Sequence, residues 1–375
     1  MVTPGALDGI RVADFSRVLA GPLATMILGD LGADVIKIER PGTGDDTRAW
    51  GPPWSTDGES SYYLGANRNK RSVALDLKDA DDIAFARAIA LRADVVIENF
   101  RPGVMARIGL DHDSLAAERP SLITCRIAGI GRGDVAGYDF LAQAMGGLMS
   151  ITGEADGEPH KIGVALVDVM TGLHTAIGVL AALRHRDRTG EGQLIEVDLL
   201  STTLFALANQ ASNWLTAGVV AERMGNRHPS IAPYETVRAA DGPFVIAVGN
   251  DDQFRTLCDV LGEPALASDE RFVTNAARVT NRDPMVEALE GALAGADAAT
   301  WIERLHAKGI PCGMVNQVDQ AFALARAVGL DPVASFPDVD TVANPLSFSR
   351  TPATYRMPPP HLGEHDDEIR AEVDG

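Results

Sequence analysis

The feature that most constrains the fold of this 375-residue chain is a regular alternation of short apolar runs and helical segments through its first half. Each apolar run is rich in β-branched residues and is followed by a turn. Strands joined through crossover helices run parallel, because the helix returns the chain to the same end of the sheet. The predicted strands are 10–15, 35–39, 72–77, 95–99 and 122–130, and helices are predicted over 22–32 and 79–92. We therefore expect an α/β fold with a Rossmann-like, mainly parallel sheet and helices on both faces.

The first predicted strand turns into its helix without the glycines that bind a dinucleotide. The connecting segment reads Ser16-Arg-Val-Leu-Ala-Gly-Pro, and it lacks G-x-G-x-x-G. The alternation therefore predicts the fold and gives no indication of a dinucleotide site.

The second half of the chain contains a long apolar helix, after which the pattern of predicted secondary structure changes. The helix is predicted over Val167–Arg186, because basic residues and Gly190 follow as in a typical helix C-terminus. Beyond residue 225 come loops, a hairpin around Asp241-Gly242 and amphipathic helices, which are typical of a separate α+β domain. The predicted organisation is a large α/β domain over 1–200, a linker helix over 201–221, a small α+β domain over 222–315, and a proline-rich return segment over 316–375 that packs on the large domain.

Charge and cysteine usage exclude several classes of function. The net charge of −19 at pH 7 would repel the phosphates of a nucleic acid and an anionic membrane surface. The three cysteines lie far apart without a C-x-x-C pair, which argues against a disulfide framework or a cysteine zinc site. The N-terminus lacks a basic region followed by an apolar run. We expect a cytoplasmic protein with no nucleic-acid or membrane partner.

Asp168 is the clearest candidate for a catalytic residue, because it lies in the first turn of the predicted long helix. Unpaired N–H groups and the positive end of the helix dipole hold a carboxylate ionised at such a position. An ionised carboxylate beside glycines, where a substrate can approach, can attack an acyl group as a nucleophile. An ordinary helix cap fits the same local sequence, which leaves both interpretations open.

A series of motifs helps to decide whether Asp168 is a nucleophile or a helix cap. In chain order they are Arg17-Val-Leu-Ala-Gly-Pro, Gly32-Ala-Asp-Val-Ile-Lys-Ile-Glu-Arg-Pro, Asn69-Lys-Arg-Ser, Glu98-Asn-Phe-Arg-Pro-Gly, Val167-Asp-Val-Met-Thr-Gly, Gly225-Asn-Arg-His-Pro and Leu362-Gly-Glu-His. With them the chain resembles, nearly end to end, the family III CoA transferases, which include formyl-CoA transferase, carnitine CoA-transferase and the α-methylacyl-CoA racemases. The resemblance implies that Asp168 is the nucleophile and carries first an acyl anhydride and then a CoA thioester. It implies no cofactor and no metal, since the CoA thioester is a substrate and each step exchanges groups of similar activation.

The resemblance also implies residues that bind CoA. They are Val18, Ala20, Arg40, Leu75, Lys78, Asn99, Phe100, Arg107 and Ile108. Arginine and lysine suit phosphates, and Asn99 and Phe100 follow a strand end, where α/β proteins bind ligands. Each of these residues also fits a plainer interpretation as a surface cation or a core side chain. Leu19 is predicted to line the substrate pocket. It stands where formyl-CoA transferase has a glutamine, so a polar contact is lost, which counts against formyl-CoA and oxalate chemistry.

Tyr138 and Asp139 separate the transferases from the racemases. The racemases carry a His-Asp pair where this chain has Tyr138-Asp139, and their histidine is a base for the α-proton. A tyrosine phenol, with an ordinary pKa near ~10, is a poor base near neutrality. We therefore expect a transferase; the alternatives are an acyl-CoA racemase or epimerase of the same family, or a non-catalytic CoA-binding protein. Both residues are predicted to line the substrate pocket, where Tyr138 is either a wall or a direct contact.

The substrates and the assembly are likewise implied by the resemblance. We expect CoA to pass between carboxylic acids, with succinyl-CoA and a short diacid favoured by the Gly225-Asn-Arg-His-Pro motif. The family forms homodimers in which each chain is a ring closed by its tail, and the two rings interlock. We expect the same interlocked homodimer here.

Two further patterns suggest ligands but have plainer interpretations. His361, His365 and Asp366 have metal-like spacing, yet they follow three prolines, and we expect a solvated loop. The Gly129-x-Gly131-x-Gly133 run follows a strand and is predicted to be a loop near the thioester rather than a phosphate cradle.

Overall fold

The computed structural model describes residues 5–131, 135 and 137–374, and these residues include the predicted parallel sheet. The strands are β1 (Arg11–Asp14), β2 (Asp34–Glu39), β3 (Lys70–Ala74), β4 (Val95–Glu98), β5 (Ile123–Ala128), β6 (Leu194–Asp198), β7 (Tyr234–Arg238), β8 (Pro243–Ala247), β9 (Cys312–Met314), β10 (Val333–Ser335) and β11 (Asp340–Val342). The first six form one parallel sheet in the order β3-β2-β1-β4-β5-β6. The order reverses between β1 and β4, so the carboxyl ends of these two strands flank the crevice where doubly wound folds bind ligands.

Helices cover both faces of this sheet, as predicted. The α-helices are α1 (Ala20–Asp30), α2 (Ser61–Leu64), α3 (Ala80–Arg92), α4 (Val104–Arg107), α5 (His112–Ala116), α6 (Asp139–Met145), α7 (Leu166–Thr189), α8 (Leu199–Ala206), α9 (Ala208–Ala217), α10 (Asp251–Leu261), α11 (Asn275–Thr280), α12 (Arg282–Leu293), α13 (Ala298–His306), α14 (Val318–Ala327) and α15 (Asp366–Asp374), and turns of 3-10 helix lie at Asp46–Ala49, Met149–Ile151 and Pro264–Ser268. Helices α3 and α15 pack on one face, over core residues such as Phe15, Ile36 and Val96. Helices α1 and α7 pack against each other and on the sheet. The Rossmann-like prediction is therefore confirmed.

The chain divides into two compact units. The large unit comprises Met1–Met149, Lys161–Val220 and Asp331–Gly375, and the small unit comprises Ser150–His160 and Ala221–Leu330. The small unit extends beyond the predicted limit of 315, because a helix with a capping box between Gln317 and Gln320 follows there. It also includes an earlier segment, in which the Gly153 carbonyl accepts a hydrogen bond from the Gly225 N–H at 3.0 Å. Local sequence patterns do not report a contact of that separation.

The small unit is built around an antiparallel sheet in the order β7-β8-β9. The predicted hairpin is confirmed, with Val237 paired to Phe244 across it. Helices α10, α12 and α13 supply the other core residues, among them Phe254, Leu289 and Trp301. The antiparallel sheet and its helices make the small unit an α+β structure.

The C-terminal segment belongs to the large unit, where it covers β3 at the edge of the sheet. The Arg71 guanidinium forms ion pairs with Glu368 and Glu372 of α15 at 2.8 and 2.7 Å. The prediction of a solvated loop is confirmed at His361, whose side chain is exposed, and is wrong for the other two residues. His365 Nδ1 accepts a hydrogen bond from the Ser72 N–H at 3.2 Å, and Asp366 accepts one from the Ala74 N–H at 2.8 Å. These side chains satisfy N–H groups that an edge strand would otherwise leave open.

Helix α7 is the longest helix in the described residues, and it begins one residue before the predicted start. Gly190 ends it in the left-handed conformation, with its N–H on the Arg186 carbonyl at 2.7 Å. By length and composition α7 could cross a membrane, but 44% of its most apolar stretch is already buried within the chain. Three apolar side chains remain exposed along one face, Leu173, Ile177 and Leu180. Their spacing of four and three residues places them on one stripe of the helix.

The predicted linker helix over 201–221 is two helices in the structure. Helices α8 and α9 are separated at Leu207, and Ala208 has a positive φ of 44°. A left-handed backbone at alanine interrupts a helix, and nothing in the local sequence announces it. Both helices belong to the large unit, so the predicted linker is part of that unit.

Candidate active site

Three adjoining cavities lie at the carboxyl ends of the strands in the large unit. We call them the basic cavity (Arg40, Leu75, Lys78, Phe100 and Arg107 among its lining), the small cavity (Val18, Ala20, Asn99, Tyr138 and Asp168) and the large cavity (Leu19, Tyr62, Tyr138, Asp139, Lys161 and Asp168). Phe100 lines both the basic and the small cavity, and Asp168 lines both the small and the large cavity. The sheet topology thus brings residues more than 100 positions apart to one crevice.

The basic cavity collects the predicted cationic residues. The side chains of Arg40, Lys78 and Arg107 are exposed around it, and none of them forms an ion pair with another residue that the structure describes. Phe100 closes one side of the cavity. Three unpaired cations around one opening suit a polyanionic ligand, and charge-assisted hydrogen bonds to phosphate are among the strong ones in proteins.

Ile108 is the predicted CoA-binding residue that the structure places elsewhere. Its side chain packs against the hydrophobic core beneath α3 and lines none of the three cavities. The motif-based assignment followed its neighbour Arg107, whereas consecutive residues of a helix end point in different directions.

The loop from β1 to α1 lines the small cavity in a strained conformation. Val18 has a φ of +72°, which costs a β-branched residue roughly 1–3 kcal/mol. Asn99 secures the loop: its Oδ1 accepts from the Arg17 N–H at 2.9 Å, and its Nδ2 donates to the Arg17 carbonyl at 2.7 Å. The amide of Asn99 is thus occupied with the protein backbone, and it positions the loop.

A cluster of buried charges supports the same loop from beneath. We call Asp14, Lys37, Asp45 and Lys70 the ion-pair cluster; all four side chains are fully buried. Lys37 pairs with Asp45 at 2.9 Å, and Lys70 pairs with Asp14 at 3.1 Å. Asp45 also accepts a hydrogen bond from the Val18 N–H at 3.2 Å. The cluster therefore helps to fix the unusual backbone at Val18.

Asp168 lies in the first turn of α7, as predicted, and is 9% exposed. Gly172, one turn further, brings this end of α7 against the start of α1. A Cβ at that position would lie 2.7 Å from the Ala20 carbonyl oxygen. The glycine of the Val167-Asp-Val-Met-Thr-Gly motif thus permits the close approach that places Asp168 beside the β1–α1 loop.

The N–H groups at the start of α7 are bound by Asp139. Its Oδ1 accepts from the Val167 N–H at 2.8 Å and from the Asp168 N–H at 3.4 Å. Its Oδ2 accepts from Gln143 Nε2 at 2.6 Å. Asp139 is therefore a cap for α7 contributed from α6. Local sequence contains no signal of this contact, because 29 positions separate Asp139 from Asp168.

The pKa of Asp168 differs from the expected one. Burial, together with the nearby Asp139 carboxylate, raises the pKa of Asp168 from 3.8 to about 7. The prediction that the helix N-terminus holds Asp168 ionised is wrong, because Asp139 occupies the N–H groups that would have done so. A carboxylate whose pKa lies near neutrality is a candidate for chemistry.

Tyr62 and Arg17 are cavity residues that the motif comparison did not single out. Tyr62 lines the large cavity, and burial with the nearby Asp168 and Asp139 raises its pKa to about 12. Arg17 lines both the basic and the small cavity, and its guanidinium lies 5.2 Å from the Phe100 ring centre. Its Nε is buried and has no hydrogen-bond partner among the described residues. Arg17 opens a family-like motif, so its position in the sequence was a usable signal.

Tyr138 lies at the boundary of two cavities. It is 57% exposed and lines both the small and the large cavity. Gly129 and Gly137, which flank the loop before it, approach so closely that a Cβ on Gly129 would lie 2.5 Å from the Gly137 Cα. Gly133, the last glycine of the predicted loop, lies outside the described residues.

Comparison with known proteins now defines the class. The model of CoA-transferase family III matches residues 7–366 of this chain. The chain is 45% identical to the succinate–glutarate CoA-transferase of Agrobacterium fabrum, covering 98% of this chain and 96% of that one. It is 41% identical to the acetyl-CoA:oxalate CoA-transferase of Acetobacter aceti, with the same coverages.

Solved structures of similar proteins support the same family assignment. A CAIB/BAIF family protein from Brucella suis superposes with a TM-score of 0.88 at 44% identity, covering 99% of this chain and 100% of that one. Rv3272 of Mycobacterium tuberculosis gives 0.89 at 32%, covering 98% and 99%. The chain belongs to CoA-transferase family III, which confirms the predicted family and enzyme class. These relatives are named as transferases, which favours the transferase over the racemase prediction.

Proposed function

We propose that this enzyme transfers CoA from succinyl-CoA to a short dicarboxylic acid through covalent intermediates on Asp168. The observation that carries the proposal is the position of Asp168: it is buried, has a pKa of about 7, and lines both cavities that meet beside the β1–α1 loop. Burial without a cationic partner destabilises the ionised carboxylate and favours its conversion into a neutral acyl derivative.

The reaction exchanges oxygen and sulfur substituents at three carbonyl carbons: those of the donor, of Asp168 and of the acceptor. An oxygen of the Asp168 carboxylate attacks the donor thioester, the C–S bond breaks, and an aspartyl–acyl anhydride and CoA thiolate result. The thiolate attacks the aspartyl carbonyl, which releases the donor acid and leaves an aspartyl-CoA thioester. The acceptor carboxylate then attacks this thioester, and the released thiolate attacks the acceptor's carbonyl, which forms the new acyl-CoA and regenerates Asp168. The cycle as written consumes no cofactor.

The start of α1 is our candidate for stabilising the negative oxygen that forms in each step. Helix α1 begins at Ala20 without a side-chain cap, and Leu19 and Ala20 line the small cavity together with Asp168. Uncapped N–H groups at a helix N-terminus favour developing negative charge. The strained Val18 backbone precedes these groups and contributes to their placement.

We place the nucleotide end of CoA in the basic cavity. Its cations face an opening that joins the small cavity at Phe100. Replacing Arg40, Lys78 or Arg107 with alanine is expected to weaken CoA binding about tenfold each, since one charge-assisted hydrogen bond contributes roughly 1.5 kcal/mol or more. Calorimetry with CoA and dephospho-CoA identifies the residue at the 3′-phosphate. Unchanged CoA affinity in all three variants would reject this placement.

The dicarboxylate part of the proposal rests on the relatives and on the large cavity. Relatives over nearly the whole chain are named for glutarate and oxalate as acids. The large cavity measures about 610 Å³, within the range of small-molecule sites, and reaches Asp168. A short diacid therefore has room to present one carboxylate to the nucleophile.

Mass spectrometry tests the function directly. The enzyme incubated with succinyl-CoA and no acceptor is expected to gain the mass of CoA, less water, on the peptide that contains Asp168. A panel of acids with succinyl-CoA then ranks the acceptors, with glutarate expected among the best. A CoA adduct on another residue would reject Asp168 as the nucleophile, and α-proton exchange in a 2-methylacyl-CoA without any transfer would favour a racemase.

We also propose that the enzyme is an interlocked homodimer. The two segments of the small unit alternate in the sequence with the three segments of the large unit. In the single chain, α7, α8 and α9 leave Ile177, Phe205, Trp214 and Leu215 more than half exposed. Apolar surface of this extent is typical of a buried interface. Light scattering on dilution tests this: a folded, stable monomer would contradict an interlocked dimer, whose chains separate only on unfolding.

The cytoplasm is the proposed location. The thiols of Cys125, Cys258 and Cys312 are free, and the first two are buried. Free cysteines suit a reducing compartment. Cell fractionation with a tagged chain would check it.

A further inference from the structure

The large cavity has an unbalanced set of charges. The carboxyl groups of Asp139 and Asp168 line it, and Lys161 is the one cationic residue among its lining in the part of the chain that the structure describes. Lys161 is exposed, and its Nζ donates a hydrogen bond to the Ile162 carbonyl at 3.3 Å. The ammonium group is thus not paired with either aspartate in the structure.

The backbone beside Lys161 is fixed to the catalytic end of α7. The Ile162 N–H donates to Gln143 Oε1 at 2.9 Å. The same amide donates through Nε2 to Asp139, which in turn caps α7 beside Asp168. Gln143 is fully buried. The network sets the distance from the root of the Lys161 side chain to the nucleophile, while the flexible four-carbon stem leaves the ammonium free to move.

When the acceptor diacid enters this cavity, Asp168 carries the neutral CoA thioester, and the two negative charges of the diacid approach the Asp139 carboxylate. Its reacting carboxylate has to reach Asp168, and its distal carboxylate needs a cation, because an unpaired charge in a partly desolvated cavity is costly. We propose that Lys161 binds the distal carboxylate of the dicarboxylic acid and thereby selects diacids over monoacids. This inference rests on the proposed function and adds the residue that determines its acceptor class.

Acceptor kinetics test the inference. In a ping-pong reaction, kcat/KM for the acceptor reports only the steps after the CoA-enzyme has formed, so the donor's own carboxylate does not interfere. Glutarate and valerate have the same chain length and differ in the second carboxylate. In Lys161→Met, kcat/KM is expected to fall roughly ten- to hundredfold for glutarate and to change less than about twofold for valerate. Lys161→Arg is expected to retain most of the glutarate activity.

A charge reversal and a control complete the experiment. In Lys161→Glu, 5-aminopentanoate is expected to become a better acceptor than glutarate, because its ammonium then faces a carboxylate. Lys308→Met, at an exposed lysine of the small unit, is the control and should match the wild type. Equal losses for glutarate and valerate, no loss for either, or a wild type that does not prefer glutarate would overturn the inference. A wild type that transfers CoA to no acid at all would instead overturn the proposed function.

Discussion

The ion-pair cluster beneath the β1–α1 loop and the large cavity around Asp168 both contain buried aspartates, yet the pKa values there move in opposite directions. Burial by itself raises the pKa of Asp45, but the Lys37 ammonium and the Thr47 N–H outweigh it and lower the value to about 2. At Asp168 burial and the Asp139 carboxylate act in the same direction and raise the pKa to about 7. The presence or absence of a buried cation accounts for the difference.

This comparison distinguishes aspartates that stabilise the structure from an aspartate that is suited to catalysis. A paired aspartate such as Asp45 remains charged, is stabilised by its partner and serves to position backbone. Asp168 is held near Asp139, and no cation among the described residues pairs with either carboxyl group. The fold therefore bears an electrostatic cost that conversion of Asp168 into a neutral anhydride or thioester would relieve. Substitutions in the two regions should therefore have opposite effects on stability, and only one should abolish chemistry.

The largest expected effect is on turnover in Asp168→Asn. Removing the nucleophile should lower transferase activity by roughly a thousandfold or more, while CoA affinity and the circular dichroism spectrum stay near those of the wild type. Steady-state assays and calorimetry check both parts. If Asp168→Asn keeps substantial turnover, and mass spectrometry shows that the asparagine has not deamidated, Asp168 is not the nucleophile. The buried aspartates of the large cavity would then be structural, like those of the ion-pair cluster.

The next effect is on stability in Asp45→Asn. The substitution leaves Lys37 buried without its partner, which is expected to cost roughly 3–5 kcal/mol in free energy of unfolding. Asp46→Asn is a matched control at the next residue, because Asp46 pairs with Arg17 at the surface and such pairs contribute about 1 kcal/mol or less. Urea denaturation at neutral pH compares the two. Similar small losses in both variants would show that burial at Asp45 is not decisive.

A third effect concerns the pH dependence of stability. Between pH 3.8 and about 7 the folded chain retains a proton on Asp168 that the unfolded chain releases, so stability falls as the pH rises through this window. Asparagine has no such proton. Asp168→Asn should therefore exceed the wild type by up to about 4 kcal/mol above pH 7 and match it below about pH 4. A difference independent of pH in urea denaturation would contradict the raised pKa.

The smallest expected effect is on the pH profile of activity. Because the nucleophile has to be ionised, kcat/KM should fall below pH 7, with a slope near tenfold per pH unit. Asp139→Asn removes the neighbouring charge while keeping an oxygen for the α7 N–H groups, so this acid limb should move to lower pH. An unchanged limb in the variant would assign the raised pKa to burial alone.

The sequence by itself determined most of the secondary-structure elements and pointed to Asp168 as the proposed nucleophile. Strand and helix periods predicted β1, β2 and β4 and the extent of α7 to within a few residues, because alternation and helical repetition are local properties. The motif around Asp168 placed it at a helix start for the same reason. Two differences from relatives could also be read from the sequence. This chain has Leu19 where formyl-CoA transferase has a glutamine, and Tyr138 where the racemases have a histidine.

Only the tertiary structure decided how these residues act together. The capping of α7 by Asp139, the resulting pKa of Asp168, and the presence of Tyr62 and Lys161 in one cavity all depend on contacts between segments far apart in the sequence. Such contacts follow from the strand order and from the close approach of α1 and α7 at Gly172. A carboxylate's ionisation depends on which charges and N–H groups surround it in space, and local sequence does not contain that information.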